Sequence, residues 1–167
     1  DFAEATLGTF SPTSSNQFTP AFEDYELYIP SYVESGDQFG SVLSITGDQM
    51  LVGAKVPDTK AGYVAHYTRT GERWMYVGKI VSPTSAVGDQ FGRVLSVYSL
   101  TYAIGDPLNN KVYYGIFGEP MKTATGTNGF GTVLNVNDGD VFVLDIANNL
   151  YYIDVNSNTM YTYTGEG

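Results

Sequence analysis

The sequence predicts an all-β chain built as three like units of four strands, with an extended arm ahead of them. The first observation behind this is a repeated phrase: Gly36-Asp37-Gln38-Phe39-Gly40 returns as Gly88-Asp89-Gln90-Phe91-Gly92 and, shortened, as Asn128-Gly129-Phe130-Gly131. Self-similarity at a spacing of about 40 to 50 residues marks an array of supersecondary units that bury their faces on one another. The second is composition, since 14 Tyr and 19 Gly among 167 residues suit strands and tight turns. The third is that no 3.6-residue apolar pattern persists for ten residues, so almost no helix is expected.

Each copy continues in parallel, as FGSVLSITGDQMLVGA from Phe39, FGRVLSVYSLTYAIGD from Phe91 and FGTVLNVNDGDVFVLD from Phe130. In the first unit Ser41 to Ile45 alternates, Gly47-Asp48 turns, and Met50-Leu51-Val52 returns as an almost wholly apolar strand. A polar loop then leads to Gly62 to Tyr67, and Arg69-Thr70-Gly71-Glu72 turns into Trp74 to Val81. The second unit places strands at Val94 to Tyr98, Thr101 to Ile104, Val112 to Phe117 and, weakly, Met121 to Thr125. The third places them at Val133 to Val136, Val141 to Leu144, Leu150 to Val155 and Met160 to Thr164. Its Asn137-Asp138-Gly139 is a strong hairpin signal, because residues tolerant of positive φ suit the turns that match strand twist. The expected organisation is an arm with a Ser/Thr/Pro linker over 1–24 and one domain over 25–167, its units at about 36–87, 88–127 and 128–167.

The recurrent Phe-Gly pair has a packing rationale. A bulky aromatic at the head of a strand plugs the gap between neighbouring sheets, while glycine lets another backbone approach closely. Phe39, Gly40, Phe91, Gly92, Phe130 and Gly131 are therefore expected to be structural. Gly53 and Gly105, thirteen places after Gly40 and Gly92, are expected to end an apolar strand where sheets converge. In the third unit that place holds Leu144.

These residues resemble the FG-GAP repeat, the blade unit of integrin α-subunit propellers and of many extracellular proteins. The resemblance rests on Phe39-Gly40 with Gly53-Ala54, on Phe91-Gly92 with Gly105-Asp106-Pro107, and on the GDQFG approach, and it covers about residues 36–167. It implies a β-propeller-like array of three four-stranded blades. Blades of that family often carry a D-x-D-x-D-G calcium loop, but the loops here from Val56, Asp106 and Asp145 hold no more than one acid each. Calcium takes six to eight oxygens, several of them carboxylate. No cofactor is expected, with only a weak calcium site from loop carbonyls left open. The count also departs from the usual four to eight blades. Three blades leave a tiny closed ring or an open wedge with exposed edges, which calls for an unusual closure, a partner chain or a further part.

Counting back from Phe39 and Phe91 aligns Tyr25 to Ile29 with Val77 to Val81, so an outer-type strand is expected there. Upstream, Phe2, Leu7, Phe10, Phe18 and Phe22 would each gain roughly 1.5 to 3 kcal/mol on full burial, so they need a place to pack. They lie across the chain's own blades, or the arm adds a strand to a neighbouring copy, with a disordered arm as the third alternative.

Charge and composition exclude some partners. With 18 Asp plus Glu against 8 Lys plus Arg, the net charge of −10 repels nucleic acid and anionic membranes. No run of eighteen apolar residues offers a membrane span. The chain has no Cys and a single His, so no thiolate chemistry and no ordinary zinc constellation can form. His66, beside Tyr67, reads as a packed or surface residue rather than a ligand. Asp37 and Asp89 occupy equivalent repeat positions, which favours turn capping over catalysis. Alternating tyrosines at 113–114, 151–152 and 161–163 place some aromatic faces outward, where they stack on sugars or anchor protein contacts. The chain opens at Asp1 with no basic-then-apolar leader, so either a signal peptide has been removed or the numbering begins inside a longer product; an exported protein freed of its signal peptide is the expectation. Together these suggest a non-catalytic extracellular structural or adhesive protein that assembles with copies of itself through its arm into a fibre. The alternative is a ligand-binding module of a larger surface protein, for glycans or another surface protein.

Overall fold

The computed structural model describes residues 27–84 and 86–163. They form twelve β-strands and one short 3-10 turn at Pro107–Asn109, with no α-helix among the described residues. The first sheet contains β1 (Phe39–Thr46), β2 (Gln49–Ala54), β3 (Tyr63–Thr70) and β4 (Arg73–Val81). The second contains β5 (Val94–Tyr98), β6 (Thr101–Asp106), β7 (Lys111–Ile116) and β8 (Lys122–Thr125). The third contains β9 (Val133–Asn137), β10 (Asp140–Leu144), β11 (Leu150–Asp154) and β12 (Thr159–Tyr163). Each sheet is an antiparallel meander in chain order. The turn before β10 carries positive φ at both Asp138 (47°) and Gly139 (89°), as the Asn-Asp-Gly signal requires.

The sheets stack in a row. β5 packs against β1 and β2 on one side and against β9 on the other, while β6 also meets β9. β1 and β9 have no comparable contact, so the row is open. Burial follows from this order. β6 is buried along its whole length because the second sheet is covered on both faces. The seam between the first two sheets is filled by Leu51 and Val64 against Phe91, Leu95, Val97 and Ile104. The next seam sets Ala103, Val112 and Tyr114 against Phe130, Leu134, Val141 and Val143.

Phe91 and Phe130 are fully buried in these seams, whereas Phe39 is half-buried. Each meets a tyrosine of its own sheet: Phe39 is stacked with Tyr63, while Phe91 and Phe130 sit edge-on to Tyr113 and Tyr151. The glycines explain how closely the backbones meet. A Cβ on Gly105 would sit 2.5 Å from the carbonyl oxygen of Gly131, and one on Gly53 closer still to that of Gly92. The second glycine of one unit is thus the socket for the Phe-Gly carbonyl of the next.

One sequence expectation needs correction. Residues 27–29, the described part of the strand expected over Tyr25 to Ile29, are not in a strand. The Tyr28 carbonyl accepts a hydrogen bond from the Tyr67 hydroxyl at 2.8 Å, and Pro30 then offers no N–H to continue a ladder. Leu27 instead packs on Met50, Val52, Ala65 and Tyr67, with Tyr32 edge-on to Tyr63. This segment therefore covers the outer part of the first sheet's leading face, the face turned away from the second sheet. The arm residues Phe2, Leu7, Phe10, Phe18 and Phe22 lie outside the described residues.

Candidate functional site

Each seam between sheets obeys the same rules, and the rules run out at the two ends of the row. Ser44 Oγ accepts the N–H of Val97, and Ser96 Oγ accepts the N–H of Val136. The third residue in this series is Asn135, which is exposed. On the leading side, Leu95 and Val97 of the second sheet and Leu134 and Val136 of the third are at most 9% exposed. Their counterparts in the first sheet, Leu43 and Ile45, are 55% and 52% exposed. Gly40, matching the tightly packed Gly92 and Gly131, has nothing within 4 Å of where its Cβ would be.

The trailing face of the third sheet is the other opening. Strand register makes Leu51, Ala103 and Phe142 equivalent, and likewise His66, Tyr114 and Tyr152. The first two members of each series work within a seam. His66 lies flat on Phe117 of the second sheet, with ring centroids 4.0 Å apart. The Tyr114 hydroxyl donates to Asn158 Oδ1 of the third sheet at 2.6 Å. Among the described residues the third members meet no further sheet. Phe142, Tyr152 and Tyr161 form a ladder across the face, with centroids 5.5 and 5.6 Å apart. Tyr152 is steadied by its hydroxyl bond to Asp140, which also pushes its pKa up. Phe142, Leu150, Tyr152 and Tyr163 line an open, almost wholly apolar groove of about 410 Å³. The run of tyrosines signalled outward aromatics, and the register decides which ones: Tyr152, Tyr161 and Tyr163, with Tyr113, Tyr114 and Tyr151 buried.

A second, polar cavity of about 450 Å³ lies between the first two GDQFG loops, lined by Gln38, Lys55, Asp58, Gln90 and Arg93 among others. Arg93 faces Asp58 at 3.6 Å, and its buried Nε has no acceptor. The four buried acids are already engaged by the loops. Asp37 accepts bonds from the Glu34 N–H, the Tyr63 hydroxyl and Lys60 Nζ. Asp89 accepts the N–H groups of Gly62 and Ala86, so it ties the second loop to the first sheet. Asp106 accepts from the Gln90 N–H and Asn109. Asp145 takes the N–H groups of Ala147 and Asn149 and the Tyr151 hydroxyl. Burial pushes the Asp37 carboxyl's pKa up, but these bonds and the Lys60 charge outweigh it and hold the pKa below its ordinary value. Among the described residues no three metal-ligating side chains cluster.

Burial pushes the His66 imidazole's pKa below its ordinary value. The unfolded chain takes up this proton near pH 6.5, the folded chain only at lower pH. The stabilisation is therefore complete above about pH 6.5 and declines as pH falls through the lowered value. Urea midpoints measured against pH should show this decline in the wild type and a flatter profile in His66→Gln. An unchanged slope in the variant would remove His66 as its source.

No family model matches the sequence, and no curated protein matches it. Among solved structures the chain is similar to a europium-containing methanol dehydrogenase, at 12% identity over 77% of this chain, with a TM-score of 0.50. It is also similar to Myxococcus xanthus glutaminyl cyclase, at 9% identity over 67% of this chain, with a TM-score of 0.38. Both are enzymes. The chain spans 26% of the length of the dehydrogenase and 46% of the cyclase. At such identity the likeness to the dehydrogenase bears on the fold alone, which is all-β and propeller-like.

Proposed function

We propose that the chain is a non-catalytic structural or adhesive building block, acting outside the cell, whose copies join through the two open ends of the row. One observation carries this reading: positions that are buried at both internal seams are exposed or only half-buried at the ends. Leu43 and Ile45 at the head are exposed where their counterparts are buried, and Phe142 and Tyr152 at the tail are half-buried where Leu51 and Ala103, the counterparts of Phe142, are fully enclosed. Apolar area of this kind favours association, and a head-to-tail contact that does not close propagates into a fibre. The non-catalytic part is supported by the engagement of His66 in a seam and of the four buried acids in turns. The FG-GAP resemblance and the arm of residues 1–22 are consistent with an assembling surface protein.

The test is the mass of the native particle before and after deletion of residues 1–22. A polymer that falls to monomers on deletion is the expected result. An unchanged oligomeric state would remove the arm from the assembly. The outward Phe142-Tyr152-Tyr161 ladder supports a second reading, a glycan-binding module, because sugars stack on such faces. A particle that is monomeric with and without the arm would favour it.

A further inference from the structure

Leu144 decides what can cover the aromatic face of the third sheet. At both internal seams the Phe-Gly carbonyl of the next sheet presses onto a glycine, Gly53 or Gly105, where a single added carbon is already too close. The equivalent position in the third sheet carries the side chain of Leu144. A fourth sheet arriving in the same register would meet that side chain, so the face is closed to another blade. It remains open to a single extended segment. The groove lined by Phe142, Leu150, Tyr152 and Tyr163 is one such channel. Beside it β12 is an edge strand, fully exposed and unpaired on its far side among the described residues.

We propose that the segment seated there is residues 1–22 of a second copy, which bring Phe2, Leu7, Phe10, Phe18 and Phe22. The inference rests on the building-block reading and assigns its docking site. The described chain begins at Leu27, packed on the leading face of the first sheet, at the opposite end of the row from the groove. The 26 residues before it reach up to roughly 85 Å when extended. A second copy lying beyond this face, its leading end toward the groove but its first sheet held off by Leu144, presents its arm there. Its arm then enters the groove without crossing the length of its own body. Pairing along β12 supplies backbone hydrogen bonds, and the aromatic groove supplies side-chain pockets, the two components of strand addition.

The experiment uses the full chain. A photo-crosslinking residue at Phe10, in a mixture of isotope-labelled and unlabelled copies, should join mainly to residues 142–163 of a different copy. The double variant Tyr152→Ser/Tyr163→Ser, with its fold checked by circular dichroism, should raise the concentration needed for assembly by at least about tenfold. Crosslinks within one copy, crosslinks to another surface, or assembly unchanged by the double variant would each overturn the proposal. If deletion of residues 1–22 abolishes assembly while the tyrosine variant does not, the building block stands and this docking site falls. If neither change affects assembly, both fall.

Discussion

Phe130→Ala is expected to lower stability by about 3–5 kcal/mol, the range for deleting a fully enclosed aromatic side chain. The ring is inaccessible to solvent and sits edge-on to Tyr151 at 4.8 Å. It belongs to the cluster shared by the second and third sheets. The backbone at Gly126 is pressed so near that a Cβ there would lie 2.5 Å from the ring. Backbone that is already paired cannot close into the void, so the cavity term stays large. Phe39→Ala removes the same group from the same motif, but Phe39 is half-buried and its partner Tyr63 lies at 6.5 Å. Its loss should be nearer about 1.5 kcal/mol. Urea unfolding measures both, and hydrogen exchange should place the Phe130 loss in β9 to β12, because stacked units unfold through their interfaces. Equal losses in the two variants would mean that the motif phenylalanine serves only its own sheet and not the seam.

The strands were legible because two local signals agree along most of the chain. Alternation sets the period, and glycine or Asn-Asp-Gly turns set the ends. What escaped was anything that depends on a neighbour. Tyr151 and Tyr152 are indistinguishable by propensity; one is buried and the other faces the groove because a sheet lies on one side of β11 and none on the other. The counted alignment of Tyr25 to Ile29 with an outer strand fails in its described part because a side-chain hydroxyl, that of Tyr67, captures the Tyr28 carbonyl. His66 gave no hint of its flat contact with Phe117, fifty-one residues on in the sequence. Arg93 did leave a signal, standing where the other units have Ser41 and Thr132, though only the structure shows the polar cavity it borders. Leu144 was visible as a break in the glycine pattern. Its meaning appears only once the Gly92 and Gly131 carbonyls are seen pressing on Gly53 and Gly105.

That pattern can be inverted by exchange. Gly105→Leu gives the second sheet the residue that the third carries at Leu144, and it should cost at least about 3 kcal/mol, the upper part of the range for overpacking. Gly105 is not among the glycines with positive φ, so the substitution adds no backbone strain and reads the collision alone. The obstacle is the carbonyl of Gly131, with Val94 Cβ 3.0 Å away as well, and neither can rotate aside as a side-chain tip would. The third sheet should therefore lose its docking, with exchange protection collapsing in β9 to β12 while β1 to β4 keep theirs. The reverse change, Leu144→Gly, should cost only about 1 kcal/mol, mostly the conformational entropy of a glycine in a strand, because Leu144 is half-buried with no sheet beyond it. If Gly105→Leu instead unfolds in one step with protection intact in β9 to β12, the carbonyl-on-glycine seam is not what joins the sheets. Leu144 would then no longer mark the third sheet's outer face as closed to a further blade.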